Sequence, residues 1–267
     1  MTRPFPAAAA ALLVLAMPSP AAAGWDLLLL LGRAYPTLDD RLTFGIPPPS
    51  ISGVEVTVTG DPRVEADGGL TLAAALTVEA GVLGLEGRID SVDLAFDVTG
   101  ARFDLAGVEP PVTGLTGSLT LADGRLDVER LNVLSLNLRV RTPGPVGLVA
   151  SGGVSYLPSF TVGGSVPVTV VVNSPLGDLT AVPRLGLMAS PDESEHRVGV
   201  NAGAGLRAGG DRIAVVGEAR VFVFREYELR FVATDETGFA DELVTSFAPV
   251  RVRPLIVTAQ AGLLIRF

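Results

Sequence analysis

The chain has 267 residues, of which 48% are hydrophobic and 18% charged, with a mean hydropathy of +0.46. This composition excludes a disordered chain and is too apolar for an ordinary soluble domain. The sequence contains no cysteine and one histidine, His196, which excludes disulfides, thiolate sites and multi-histidine metal centres. We therefore expect no cofactor and no metal. The net charge of −9 argues against nucleic acid as a partner.

The first 23 residues have the pattern of a signal peptide. Arg3 supplies a positive start, Ala7–Met17 an apolar segment, and the small residues up to Ala23 a cleavage site. We expect cleavage after about Ala23, which leaves residues 24–267 as the exported protein. No later stretch reaches the roughly 18 consecutive apolar residues of a membrane helix, so a helical membrane protein is excluded.

The rest of the chain alternates apolar and polar residues with the period of a β-strand. In Leu134–Val140 the leucines and Val140 share one face, and Ser135, Asn137 and Arg139 share the other. The pattern predicts eight strands, near residues 25–34, 70–80, 83–98, 125–141, 146–158, 196–209, 211–227 and 249–267. Because a soluble β-sandwich also alternates, the period alone does not decide the fold.

The connections between these strands separate the alternatives. They alternate between short turns rich in Gly and Pro and long segments rich in acidic residues, at about 35–69, 99–124, 159–195 and 228–248. Short turns on one side and long external loops on the other are typical of an up-and-down transmembrane barrel. The predicted fold is therefore all-β, an eight-stranded antiparallel up-and-down transmembrane β-barrel. Closure is required because lipid cannot satisfy an open strand edge.

Strand parity places charged residues of both signs inside this barrel. An eight-stranded barrel is narrow enough for side chains to fill it, so we expect a polar ion-pair network that plugs the lumen. Its predicted members are Glu86, Arg88, Asp90, Arg139, Glu218, Arg220 and Arg266.

Four segments carry a resemblance to a known family: Val149–Tyr156, Asn201–Arg207, Glu218–Phe222 and Gly262–Phe267. They resemble the small eight-stranded outer-membrane barrels that include the membrane domain of outer-membrane protein A and the opacity-type surface proteins. The resemblance implies the outer membrane of a Gram-negative-type cell, with outer-membrane lipid and the barrel-insertion machinery as partners. It also implies that the terminal aromatic, Phe267, is the insertion signal. The acidic loops would then be the surface available to external ligands.

Several functions stay open at this stage. The leading hypothesis is a structural or surface-interaction protein. Leu28 and Leu30 share the lumenal parity of Asp26, which suggests instead a small-solute channel or a conduit for apolar ligands, unless the strand begins in another register. A secreted β-sandwich or soluble ligand-binding barrel is a further alternative.

Two sets of residues suggest more specific roles. Ser194, Glu195 and His196 offer the residue types of a lipid-modifying enzyme, but three adjacent residues cannot by themselves form a triad. We therefore expect no enzymatic activity and no catalytic residue. Aromatic residues near the predicted strand ends are expected to form interfacial girdles; these are Tyr156, Phe222, Phe224 and Tyr227.

Overall fold

In the part of the chain that the structure describes, all the regular secondary structure is β-strand. The structure is a computed structural model and describes residues 24–36, 43–45, 52–108, 114–129, 131–158, 160–174, 177–181, 184–191, 197–233 and 250–267. The strands are β1 (Gly24–Tyr35), β2 (Thr43–Gly45), β3 (Val54–Thr59), β4 (Arg63–Ala80), β5 (Leu83–Thr99), β6 (Ala101–Gly107), β7 (Thr116–Leu121), β8 (Gly124–Glu129), β9 (Leu131–Arg141), β10 (Val146–Tyr156), β11 (Thr161–Ser174), β12 (Gly177–Ala181), β13 (Arg184–Pro191), β14 (Val198–Gly209), β15 (Ile213–Phe224), β16 (Tyr227–Ala233), β17 (Val250–Val252) and β18 (Leu255–Arg266).

Eight of these strands close into a barrel. The ring runs β1, β4, β5, β9, β10, β14, β15 and β18, every neighbouring pair is antiparallel, and β18 returns to β1. The closing pair is in register from Asp26 opposite Arg266 to Tyr35 opposite Val257. Closure leaves no open edge within the ring, and the predicted fold class is confirmed in strand number and pairing.

Three tight turns lie at one end of the ring, which we call the short-turn end. They join β4 to β5, β9 to β10 and β14 to β15. Gly81 and Gly144 have φ values of 69° and 108°, a backbone region that side chains with a Cβ rarely adopt. Glycine at these two positions therefore allows the chain to reverse within a few residues.

At the opposite end, the sheet continues beyond the ring. The upper part of β5 pairs with β8, β8 pairs with β11, and β11 pairs with β13. A second sheet is formed by β3, β6, β7, the end of β11, and β12. The long connections predicted at 99–124 and 159–195 thus carry strands of their own.

The observed strand bounds differ from the sequence expectation at three places in the ring. The strand expected at 249–267 is two strands, because the short β17 pairs with β16 and only β18 belongs to the ring. The strand expected at 125–141 is two strands, because β8 leaves the ring to pair with β11 while β9 stays in it. The strand expected at 70–80 begins at Arg63, and a register shift between Gly68 and Thr71 interrupts its pairing with β5. The shift is a β-bulge, which changes the face that later residues present.

Buried apolar side chains form one cluster inside the outer half of the ring and the strands above it, one in the second sheet, and one at the lumenal side of β1. No helix among the described residues is long and apolar enough to cross a bilayer.

Candidate functional site

Charged side chains from three strands of the ring lie at the centre of the lumen. Glu86, Arg88 and Asp90 alternate along the inner face of β5, Arg139 lies on β9, and Glu218 and Arg220 lie on β15. All of them are almost fully buried. These residues face the lumen because every second residue of a barrel strand points inward.

Arg88 is bound on three sides. Its Nε and Nη2 donate to the two carboxylate oxygens of Asp90, at 2.8 Å each, and its Nη1 donates to Oε1 of Glu218 at 2.7 Å. Its Nη2 also donates to Oε1 of Gln260. A guanidinium held by two carboxylates in this way is fixed in position as well as neutralised.

Arg220 links the two glutamates of the network. Its Nε donates to Oε1 of Glu218 at 2.8 Å, and its Nη2 donates to Oε1 of Glu86 at 3.1 Å. Oε2 of Glu86 accepts a bond from Nη1 of Arg139 at 3.2 Å. The six charged groups therefore form one connected network, which runs from Asp90 through Arg88, Glu218, Arg220 and Glu86 to Arg139.

Neutral side chains complete the network. Asn137 Nδ2 donates to Glu86 Oε1 at 2.9 Å, and Asn201 Nδ2 donates to Asn137 Oδ1 at 2.8 Å. Gln260 Nε2 donates to Thr71 Oγ1 at 3.0 Å. Sequence parity puts Asn137, Asn201 and Gln260 on the lumenal face, but the predicted set contained charged residues alone.

The network carries no net charge. Three arginines (Arg88, Arg139 and Arg220) face three carboxylates (Glu86, Asp90 and Glu218), so 3 − 3 = 0. Burying an unpaired charge costs several kcal/mol, on the order of 3–5 when one partner of a buried pair is removed. The balance of charge is therefore what allows so many ionised groups to be buried together.

Glycine leaves room for these long side chains. A Cβ built on Gly203 would lie 3.1 Å from Oε1 of Glu218 and 3.2 Å from Nε of Arg220. Gly217, on the outer wall, would meet nothing within 4 Å. A Cβ at the lumenal glycine would therefore crowd the network by a few tenths of an ångström, and one at the outer glycine would crowd nothing.

Arg266 does not belong to this network, which differs from the predicted set. It lies at the short-turn end, where its Nε and Nη2 each bind a carboxylate oxygen of Asp26 at 2.8 Å. Its Nη2 also lies 2.6 Å from Oε2 of Glu79, and Nε of Arg141 lies 2.7 Å from the same oxygen without hydrogen-bond geometry. The difference arises because Arg266 is six residues from Gln260 along β18, too far to reach the central carboxylates. We call these four residues the mouth cluster.

The outer half of the lumen is apolar, which corrects the expectation of a polar plug throughout. Above Asp90, the inner face of β5 continues as Val92, Leu94, Phe96 and Val98, all buried. The physical reason is that this part of the ring continues into the paired strands above it and packs as an ordinary core.

Of the residues expected in the aromatic girdle, one faces outward and two do not. Tyr156 is 44% exposed, whereas Phe222 and Phe224 are buried in the lumen with at most 1% exposed. The phenylalanines share the parity of Glu218 and Arg220 on β15, so they point inward with the apolar layer. The side chain of Tyr227 lies outside the described residues.

The register of the first strand is also resolved. Asp26, Leu28 and Leu30 point inward and are buried, and Leu29 and Leu31 point outward with 47% and 55% exposed. The inner leucines pack against Ala73, Ala75, Ala214, Val216 and Leu264. The leucines on both faces therefore reflect a partly apolar interior next to β1.

The outer wall of the ring presents a continuous apolar belt. It consists of exposed side chains from all parts of the ring: Leu29, Leu31, Leu70, Leu72, Ile89, Leu136, Leu138, Val146, Leu148, Val200, Leu206, Val215 and Leu263. β10 has 11 residues, and at about 3.3 Å from one residue to the next and a tilt of about 40° it rises about 25 Å. This height matches the hydrocarbon core that a barrel must span.

Beyond the belt, on the side away from the short-turn end, the apolar and polar faces of the strands exchange places. On β5 the outward residues change from Ile89 to Asp93 and Asp97, while the inward residues change from Asp90 to Val92. On β4 the bulge after Gly68 places Glu65 outward and Val64 inward. An apolar exterior with a polar interior suits lipid, and the reverse suits water, so the inversion marks the end of the apolar wall.

A charged cluster lies on the outer face just above this inversion. Arg125 on β8 donates to Asp67 on β4 and to Asp97 on β5, at 3.2 Å each. The hydrogen bond to Asp67 and the neighbouring carboxylates raise the pKa of Arg125. The four side chains of the cluster, including Asp127, are about half exposed or more.

The remaining sequence-predicted residues are placed as follows. Phe267 is 75% exposed at the short-turn end, where its backbone N–H donates to the carbonyl of Trp25 at 2.9 Å. Residues 1–23, Ser194, Glu195 and His196 lie outside the described residues. Among the described residues, no three His, Cys, Asp or Glu side chains are grouped as a metal site.

The chain is similar, at low identity, to three outer-membrane proteins of known structure. No family model and no curated protein matches the sequence. Neisserial surface protein A is 7% identical and matches 92% of this chain and 97% of its own, with a TM-score of 0.37. A major outer membrane protein from Thermus thermophilus is 14% identical over 92% and 100%, with a TM-score of 0.39. The outer membrane protein AlkL is 11% identical over 94% and 95%, with a TM-score of 0.42. The assignment of the fold rests on the strand pairing described above.

Proposed function

We propose that this protein is an outer-membrane β-barrel of the structural or surface-interaction type, with a lumen closed to solutes. The observation that carries the proposal is the neutral network of Glu86, Arg88, Asp90, Arg139, Glu218 and Arg220, which fills the ring below an apolar layer. Continuous water has no path through groups that are already bonded to each other and covered by packed aliphatic and aromatic side chains. The proposal includes no catalytic activity.

The apolar belt supports the membrane location. A closed ring satisfies all its backbone groups internally, and its wall exposes large aliphatic side chains over about 25 Å. On this proposal the short-turn end faces the periplasm, and the barrel-insertion machinery and outer-membrane lipid are the partners that place it there. The strands beyond the ring, with their exposed charges around Arg125, are the surface offered to external ligands.

Closed and open lumens are distinguished by conductance. We expect the purified protein, reconstituted in planar bilayers, to show negligible steady conductance, and folded protein in detergent to migrate faster before heating than after. Stable, reproducible channels from the wild-type protein would contradict the closed lumen. Identical migration with and without heating would contradict the membrane barrel itself.

A second candidate is a conduit for apolar ligands, favoured by the apolar outer half of the lumen. Phe96, Phe222, Phe224 and Leu157 are buried together there, and the inner leucines of β1 form a second apolar surface nearer the short-turn end. Mass spectrometry of organic extracts of the purified barrel separates the two functions. Stoichiometric hydrocarbon or lipid retained inside the barrel would favour the conduit, and its absence would favour the closed protein.

A further inference from the structure

Arg207 is the surplus cation at the short-turn end of the lumen. It lies on the inner face of β14, near the mouth cluster, in which Arg266 binds Asp26 and Glu79 and Arg141 approaches Glu79. Counting Arg207 with that cluster gives three arginines and two carboxylates, a net charge of 3 − 2 = +1 for these five side chains. The exposed carboxylate of Asp211, in the adjacent turn, also acts on Arg266. The central network, by contrast, is balanced.

Arg207 is also incompletely bonded. The residue is buried, with 5% of its surface exposed. Its Nη2 donates to the carbonyl of Gly210 at 2.8 Å, and its buried Nε has no hydrogen-bond partner. Among the described residues, no carboxylate forms an ion pair with it. A buried guanidinium that lacks both a counter-charge and one of its hydrogen bonds is costly.

The surroundings favour an anion. Gly147, which pairs with Arg207 across the sheet, contributes no side chain to the mouth. Arg141 and Arg266 add positive potential from neighbouring positions of the ring. A guanidinium presents paired N–H groups that match the oxygens of a phosphate or carboxylate.

We propose that the short-turn mouth of the barrel binds an oxyanion of the phosphate class, with Arg207 as its principal ligand. A free phosphate and the phosphate of a lipid headgroup share this chemistry. The binding goes beyond the proposed function and does not depend on which way the barrel faces.

The test measures the thermal unfolding midpoint of the full-length protein in a non-ionic, phosphate-free detergent. Inorganic phosphate is titrated in one arm and short-chain phosphatidylglycerol in another, against sodium chloride at equal ionic strength. At ten times its dissociation constant, a ligand specific to the folded state should raise the midpoint by about 3 °C.

The Arg207→Met variant should lose this shift. Arg207→Lys, which keeps the charge without the paired N–H groups of the guanidinium, should weaken it. Arg212→Met, which removes an exposed arginine of the adjacent turn, is the matched control and should keep it.

The arms identify the source of the anion. A shift with inorganic phosphate that requires Arg207 assigns the site to a free oxyanion, and a shift with the lipid alone assigns it to a headgroup. Absence of a shift in both arms overturns the proposal, as does a shift that persists in Arg207→Met. If Arg207→Met does not fold, titration calorimetry of the wild type and of Arg207→Lys decides, and equal affinity in the two overturns the proposal.

Discussion

Glu218 is the acceptor shared by Arg88 and Arg220, so its loss leaves two buried arginines short of a carboxylate. We expect Glu218→Ala to lower the free energy of unfolding by about 3–5 kcal/mol, measured by urea titration from lipid vesicles. The control is Glu55→Ala, which removes an exposed carboxylate on β3 and should change stability by less than about 0.5 kcal/mol. Because balance matters more than the number of charges, the double variant Glu218→Ala with Arg220→Ala should be less unstable than the sum of the two single variants. Strict additivity would contradict a shared network.

Gly203, on the lumenal face, and Gly217, on the outer wall, allow the cost of an added side chain to be compared on the two faces of the barrel. Gly203→Leu forces a side chain into Glu218 and Arg220, and overpacking of this kind costs about 1–3 kcal/mol. Gly217→Leu adds an aliphatic group to the outer wall, where a Cβ meets nothing within 4 Å, and should be neutral or stabilising in lipid. The same urea titrations measure both variants; equal losses would mean that the lumen has spare volume.

Much of this residue-level arrangement could be predicted from the sequence. Parity alone places Glu86, Arg88 and Glu218 inside, because a strand period of two leaves no choice once one face is apolar. Parity cannot assign partners, since the pairing of Arg88 with Glu218 depends on the stagger between strands distant in sequence. The apolar outer lumen does leave a signal, the change on β5 from Asp90 to Val92 on one face and from Ile89 to Asp93 on the other. This change is missed when one face of β5 is taken as polar along the whole length of the strand.

At the scale of a strand, the belt on β9 is the simplest to test. Leu136 is 49% exposed on the outer wall, and an arginine near the bilayer midplane costs about 2–4 kcal/mol. Leu136→Arg should therefore reduce the free energy of unfolding from vesicles by that amount. Val58→Arg, on β3 beyond the ring, is the control and should have little effect, since it lies in water on our proposal. A similar loss in the two variants would argue against a lipid-facing belt.

The neighbouring position illustrates why parity is not a sufficient guide to tolerance. A substitution at Asn137 points into a polar lumen, and the sequence alone predicts that Asn137→Arg is milder than Leu136→Arg. In the structure Asn137 is 1% exposed and bonded to Glu86 and Asn201. An added arginine there would lack space and unbalance the network, so Asn137 is not a gentle control for its neighbour.

At the scale of the whole molecule, variants of Phe267 are expected to affect assembly of the barrel and not its stability. Its side chain is 75% exposed, so its removal deletes little packing from the folded barrel. We expect deletion of Phe267 to leave the urea midpoint of refolded protein almost unchanged but to reduce the amount recovered in outer membranes several-fold. Phe267→Tyr keeps a terminal aromatic and should restore recovery. Normal outer-membrane levels of the deletion variant would contradict its role as an insertion signal.

The long strands also set how far the protein extends from the membrane. β5 has 17 residues, which at about 3.3 Å from one residue to the next and a tilt of about 40° rise about 40 Å. A belt of about 25 Å leaves about 15 Å of hydrogen-bonded sheet beyond the hydrocarbon. A bilayer's polar headgroup layer is thinner than this, at roughly 5–8 Å per side. On the proposed orientation, the hydrogen-bonded sheet therefore holds the connections between strands above the headgroup layer. A large molecule that approaches from outside contacts these connections before it contacts the lipid.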